Sequence, residues 1–425
     1  MAAPAFREEL VELTVKRIGS AGDGVADWRG TPVYLPFTVP GDRVRARLGA
    51  RRGGGREGRV VELVAAGPGR ATPPCRHFGS CGGCALQHLD RATYQATKLD
   101  GLYRALQRSG IDPGVVAPLR TVAPARRRAR LGLARPADPR QPGRVGFHRR
   151  RHRDLVDLDE CPVLVPALFT IIAGLRRLVP ELLRPGGTAA AILTRTDSGI
   201  DLLIEGDDQP GQDAFEALGG FADHRDLARI VWRSGEDESL VVERRTVRIV
   251  CTGVAVELPP GAFLQASEAA EASLVAEIVN GIGPDRPALD LYAGLGTFAF
   301  ALAGQGAVHA VEGDARSAAA LAAAARGVPG VTVERRDLAR APLPPEMLAG
   351  YAAAVLDPPR AGAISQAAAF AASNLGTVAA VSCNPATFAR DAAQLIAGGF
   401  RLERVVPIDQ FVWSPHLELV GLFRR

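Results

Sequence analysis

A chain of 425 residues with 47% hydrophobic content is too long for one simple domain and can bury more than one core. It has no run of about 18 uncharged apolar residues, which argues against a membrane span, and its opening, MAAPAFREELVEL, carries acids too early for a secretory signal. The net charge of +5 conceals an asymmetry: residues 1–160 hold 29 Lys plus Arg against 16 Asp plus Glu, and the remainder holds 22 against 30.

These features predict a cytoplasmic, monomeric protein with no membrane partner. Six cysteines are too few for a disulfide framework, and the cytosol keeps thiols reduced. The basic front suggests a polyanionic partner, with nucleic acid first. GC-rich coding that inflates arginine is the other source of that charge, since Lys16 and Lys98 are the only lysines.

In chain order, residues 8–65 alternate apolar and polar positions between turn signals, which predicts a small β-barrel. RARLGARRGGGREGR (45–59) reads as a basic, Gly-rich loop between two strands, either a solvated hairpin tip or a contact for RNA phosphates. GPGRATPP (67–74) is a linker into a cysteine-rich segment. Residues 90–110 read as a helix ended by Gly110. A mixed α+β stretch follows, with strands expected at 126–134, 143–158 and 189–206 and a helix at 165–183. Arg126, Arg127, Arg128 and Arg149 to Arg153 are its candidate RNA contacts. From about residue 260, strands alternate with helices, the pattern of a doubly wound α/β domain. The expected fold is therefore α/β, with a barrel at 1–66, a central mixed domain at 67–258 and a Rossmann-like domain at 259–425.

Four strand ends in the last domain carry chemistry. In DLYAGLGTF (290–298), Gly294 and Gly296 let backbone approach a ligand, though the third glycine of the dinucleotide fingerprint is missing. Glu312 ends the next strand, where a carboxylate can take both ribose hydroxyls of a nucleoside. Together they fit S-adenosylmethionine at least as well as NAD. LDPPRAG (356–362) places Asp357 at a strand end. Arg360 stands where methyltransferases of exocyclic amines usually have an aromatic, which argues against that reaction. VSCNPATF (381–388) places Cys383 just past an apolar strand, as a packed thiol or a nucleophile. In SPHLELVGLF (414–423), Glu418 interrupts an apolar stretch near His416, as one exposed alternating position or as a functional acid.

Cys75, Cys81 and Cys84 lie within PCRHFGSCGGC (74–84), and Cys161 lies in DLDECPVL. Four thiolates can hold zinc or a [4Fe–4S] cluster. Zinc commonly uses two C-x2-C pairs, and here there is one, so the spacing favours iron–sulfur.

As a set, CRHFGSCGGCALQH, DECPVL, GAFLQAS, DLYAGLGTFAFALA, AVEGD, LDPPRAG, SCNPATFARDA and HLELVGLF are similar to the RNA uridine-C5 methyltransferases. The likeness is to the iron–sulfur, TRAM-domain type that acts on large-subunit (23S) ribosomal RNA, and it runs over nearly the whole chain. It implies that residues 1–66 are an RNA-binding TRAM barrel and that Cys75, Cys81, Cys84 and Cys161 ligate a [4Fe–4S] cluster. Gln265, Tyr292, Glu312, Asp337 and Asp357 would contact S-adenosylmethionine, with Cys383 the nucleophile and Glu418 the base. Thr297 stands where the family often has Asn, and DQFVWSP where an FP-T pattern is commoner. The other expectations are a transfer-RNA methyltransferase of uridine or cytosine C5 and a non-catalytic iron–sulfur RNA-binding protein. Neither cluster nor barrel is common in transfer-RNA enzymes, and the non-catalytic reading explains neither Cys383 nor Glu418.

Overall fold

The computed structural model of the chain describes residues 9–284 and 287–425. The start of the opening segment weighed as a signal lies outside them. Among the described residues, no helix is long and apolar enough to cross a membrane. The chain divides into two compact units. One runs up to Arg104 and regains Trp413–His416; the other holds Ala105–Val412 and Leu417–Arg425.

The first unit contains a six-stranded sheet in the order Leu10–Thr14, Arg43–Arg52, Gly55–Ala65, Thr31–Leu35, Gly24–Trp28, Arg17–Ile18. Alternation puts Val11, Leu13, Val33, Leu35, Val44, Ala46 and Leu48 into one core. The basic loop expected over 45–59 is mostly strand: Arg52 pairs with Gly55, leaving a turn of Gly53 and Gly54. Both glycines have positive φ, 48° and 77°, which a two-residue hairpin turn requires and which few side chains tolerate.

In the second unit, seven strands form a sheet in the order Leu155–Asp157, Arg144–His148, Arg128–Ala134, Thr188–Thr196, Gly199–Gly206, Leu227–Ser234, Asp237–Glu243. The helix Pro166–Leu182 follows the expected span, with Pro166 in its first turn, where no N–H bond is lost.

An eight-stranded sheet carries the α/β architecture. Its order is Val331–Arg335, Val308–Glu312, Ala288–Leu291, Ala353–Leu356, Thr377–Ser382, Glu418–Arg424, Arg401–Asp409, Arg120–Thr121. The first five strands are parallel, and every residue of Ala288–Leu291, Ala353–Leu356 and Thr377–Ser382 is buried. Continuous apolar runs such as TVAAV are the signature of strands covered on both faces. The order reverses between Ala288–Leu291 and Ala353–Leu356, and ligands of open α/β sheets bind at such a reversal, beyond the carboxyl ends.

Candidate active site

The strand edge at that reversal gathers the side chains singled out in the sequence. Tyr292 follows Ala288–Leu291, Glu312 closes Val308–Glu312, Asp357 follows Ala353–Leu356, and Cys383 follows Thr377–Ser382. Glu418 reaches the same edge from the opposite direction: its strand runs antiparallel to Thr377–Ser382, with Leu419 opposite Ser382, so its first residue lies where the parallel strands finish. A cavity of about 970 Å3 is lined by all five of these residues together with Gln265, Gly294, Arg360 and Phe411.

The glycine turn works in two ways. Tyr292, Gly294 and Gly296 have φ of 61°, 56° and 89°. The Gly294 N–H donates to Glu312 Oε2 at 2.7 Å, and the Asp314 N–H donates to Oε1 at 2.6 Å. Two backbone donors thus fix the Glu312 carboxylate, whose remaining lone pairs can still accept from a ligand. Gly296 stands apart from the cavity lining. A Cβ there would lie 2.4 Å from Leu321 Cδ1 and 2.7 Å from the Phe300 ring, so close packing of Thr297–Ala303 requires this glycine. Asp337 is also outside the lining. Its side chain is 53% exposed, and its Oδ1 accepts the N–H groups of Ala339 and Arg340. Thr297 turns its hydroxyl toward the Cys251 thiol, 3.9 Å away.

Burial dominates the electrostatics. It pushes the Asp357 carboxyl up to about 7. Glu418, 4% exposed, is pushed up to about 8 by burial and then by the charge of Asp357, against a hydrogen bond from Gln410. Asp290, wholly buried in the strand before Tyr292, rises to about 8 through burial, with Asp357 and Glu312 adding to it. Burial also raises the Cys383 thiol; Glu418 adds to this and the Arg360 guanidinium opposes it. Glu418 is therefore no exposed alternating position. Among the described residues none of these three acids forms a salt bridge, and a sulfonium cation is the right kind of group to lie beside them. S-adenosylmethionine fits the residues present.

Gln410 is a site residue the sequence did not single out. It is 5% exposed, and its Nε2 donates to Gln265 Oε1 at 2.9 Å and to Glu418 Oε2 at 2.7 Å. Its Oε1 accepts the Ala266 N–H at 3.0 Å. A polar residue just past an apolar strand reads as an ordinary turn, so the sequence carries no signal for this role. Arg127 is a correction to the RNA contacts expected on charge. It is buried, pairs with Glu271 at 2.5 Å and donates to the Gln265 carbonyl at 3.1 Å. Arg128 donates to the Gly261 carbonyl at 3.1 Å. Both brace the loop that presents Gln265.

Cys75, Cys81, Cys84 and Cys161 are all partly exposed and form no disulfide. The Gly83 N–H points at Cys81 Sγ at 3.4 Å. Among the described residues, however, no group of three or more His, Cys, Asp or Glu side chains is arranged to hold a metal ion. The geometry thus does not support the iron–sulfur cluster expected from the spacing.

Residues 347–425 match the family model described as tRNA (Uracil-5-)-methyltransferase. A protein of Brucella suis biovar 1 (strain 1330), described as an uncharacterized RNA methyltransferase, is 42% identical over 418 residues, covering 97% of this chain and 98% of its own length. The 23S rRNA (uracil(1939)-C(5))-methyltransferase RlmD of Halomonas elongata is 37% identical over 440 residues, covering 97% of this chain and 89% of that protein. The crystal structure of Pyrococcus abyssi tRNA (uracil-54, C5)-methyltransferase in complex with S-adenosyl-L-homocysteine superposes with a TM-score of 0.72. It is 24% identical and covers 97% of this chain and 100% of that one, a likeness of fold.

Proposed function

The chain belongs to the RNA uridine-C5 methyltransferase family, and from that premise we propose that it methylates C5 of a uridine in large-subunit (23S) ribosomal RNA. The observation that carries this reading is the convergence of Asp357, Cys383 and Glu418 on one cavity with Gln265, Tyr292, Gly294 and Glu312. The ribosomal target draws on the likeness to RlmD over 97% of the chain.

Uracil C5 is a poor nucleophile, and the residues answer that difficulty in sequence. The Cys383 thiolate attacks C6, forming an S–C6 bond and pushing the electron pair into an enolate over C5 and O4. Arg360 favours the thiolate this step needs. When bound, S-adenosylmethionine supplies a methyl group on a sulfonium, which C5 takes. Glu418 then removes the C5 proton, the C5=C6 bond re-forms, and Cys383 departs as thiolate. One hard substitution becomes several easier ones. Gln265, Tyr292, Gly294, Glu312 and Asp357 bind the cofactor in this reading; Gly296 and Asp337 support it from outside the cavity lining. The base must leave its stack to reach Cys383, at a cost of a few kcal/mol.

Residues 1–66 are proposed as an RNA-binding TRAM barrel, supported by the six-stranded sheet and its basic strands. Residues 67–258 would form the central domain and 259–425 the methyltransferase domain. Cys75, Cys81, Cys84 and Cys161 are proposed to hold a [4Fe–4S] cluster, supported by four soft donors and their spacing in the sequence. Iron analysis of anaerobically purified protein tests this, with about four irons per chain expected and stoichiometric zinc without iron against it.

The test of the whole is mass-spectrometric mapping of 5-methyluridine in RNA from cells with and without the protein. Loss of one site in 23S RNA supports the proposal; loss from transfer RNA alone overturns its target.

A further inference from the structure

The amide network around Gln410 can be read without ambiguity because one of its members is a backbone group. The Ala266 N–H can only donate, so the atom of Gln410 it meets at 3.0 Å must be the oxygen. The Gln410 NH2 then faces Gln265 at 2.9 Å and Glu418 at 2.7 Å. An amide nitrogen carries no acceptor, so Gln265 must offer Gln410 its oxygen. The Gln265 NH2 is thereby turned away from Gln410, and Gln265 lines the cavity. Gln410 itself is buried behind that lining.

We infer that Gln410 is a positioning residue that holds Glu418 as a hydrogen-bond acceptor and directs the Gln265 amide N–H groups into the cofactor cavity. One side chain, placed just beyond the strand Arg401–Asp409, thus serves both the carboxylate that takes the C5 proton and a residue that binds the methyl donor. The inference rests on the reading of Glu418 as the base.

The groups around Glu418 make the hydrogen bond matter. Asp357 and the Cys383 thiol stand at neighbouring strand ends, and Arg360 interacts with Cys383. Burial and Asp357 both favour the protonated acid, which cannot accept a proton from C5; the bond from Gln410 opposes them. Removing it leaves Glu418 protonated over a wider pH range. Removing it also frees the Gln265 amide to flip and present an oxygen where an N–H was held.

The experiment follows release of methylated RNA from the covalent adduct in single turnovers across pH, using the full chain. Gln410→Met removes all three hydrogen bonds while filling similar space. Its release profile should move to higher pH by about one unit, the shift an ordinary hydrogen bond to a charged group carries. Release near neutral pH should slow about tenfold and recover in alkali, and KM for S-adenosylmethionine should rise several-fold. Gln410→Glu keeps the shape and replaces the donor with an acid, so its profile should move the same way. A profile that stays at the wild-type position in either variant, with melting behaviour unchanged, overturns the inference. Glu418→Gln is the control. If it traps a methylated adduct while the Gln410 variants release normally, the positioning role falls alone. If it traps nothing, the base assignment falls and takes this inference with it.

Discussion

The two charge-rich regions of this protein use their charges in opposite ways. At the strand ends of the eight-stranded sheet, Asp290 and Glu418 are buried and Asp357 is half-buried, and all three are displaced far from ordinary carboxylate behaviour. In the basic first 160 residues, many arginines stay at the surface, where Arg43 pairs with Glu12 and Arg45 with Glu62 across exposed strand faces. Charge left in water steers and grips a partner, with each ion pair worth little and screened by salt. Charge taken out of water is costly, and it persists where its reactivity is used. The abundance of Lys and Arg therefore points to a partner, while burial points to chemistry.

The largest effects should come from the buried side. Cys383→Ala should lower methylation by roughly 10^4-fold or more and abolish any covalent RNA adduct, because the S–C6 bond never forms. Glu418→Gln should lower turnover by about 10^2- to 10^4-fold. It should also accumulate a denaturant-resistant protein–RNA complex that already carries label from the methyl donor. A packed thiol and an idle acid would leave both variants near normal turnover on the same gel.

The pH response of the cavity acids is next in size. Their folded values, about 8, 7 and 8 for Asp290, Asp357 and Glu418, lie above the ordinary 3.8, 3.8 and 4.5. The folded state thus holds extra protons, and the stability they contribute is fully present below the ordinary values and lost as pH rises through 7 to 8. Melting temperature of the cofactor-free protein should decline over that window. Stabilisation by S-adenosylmethionine should grow over the same window, because its sulfonium compensates the acids as they ionise, while the uncharged sulfur of S-adenosylhomocysteine should do so less. Equal increments for both ligands at every pH would remove the electrostatic argument for the cavity.

Much of this site was legible because strand ends announce themselves. Apolar runs such as TVAAV stop at Cys383, and VLDPP and VEGD stop at Asp357 and Glu312; a parallel sheet brings such stops to one edge. What local pattern hides is direction and depth. Glu418 reads equally as an exposed alternation or a functional acid until its strand is seen to run antiparallel beside Thr377–Ser382. Gln410 reads as a turn residue because its partners, Gln265 and Glu418, are set by tertiary packing. Gly296 was legible as special, but its packing against Leu321 and Phe300 was not. Gly296→Ala should destabilise the protein by about 1–3 kcal/mol, through positive φ and overpacking against Leu321 and Phe300. Chemical denaturation can measure this loss.

Arginines that look alike in sequence should separate sharply on mutation. Arg127 and Arg153 both belong to basic runs, RRRAR and HRRRHR. Arg127 is buried against Glu271, so Arg127→Ala leaves an acid in the interior without its cation and should cost about 3–5 kcal/mol of stability. Arg149 and Arg153 are exposed. Replacing both with Ala should change stability by no more than about 0.5 kcal/mol each and leave S-adenosylmethionine binding intact. If they grip RNA, affinity should fall across all sequences alike. The slope of log affinity against log salt should flatten by about 0.7 to 0.9 for every phosphate that is no longer neutralised. Filter binding over a salt series reads both quantities. An unchanged slope would mean that these exposed charges only solvate the fold, and that the grip on RNA lies elsewhere among the basic residues.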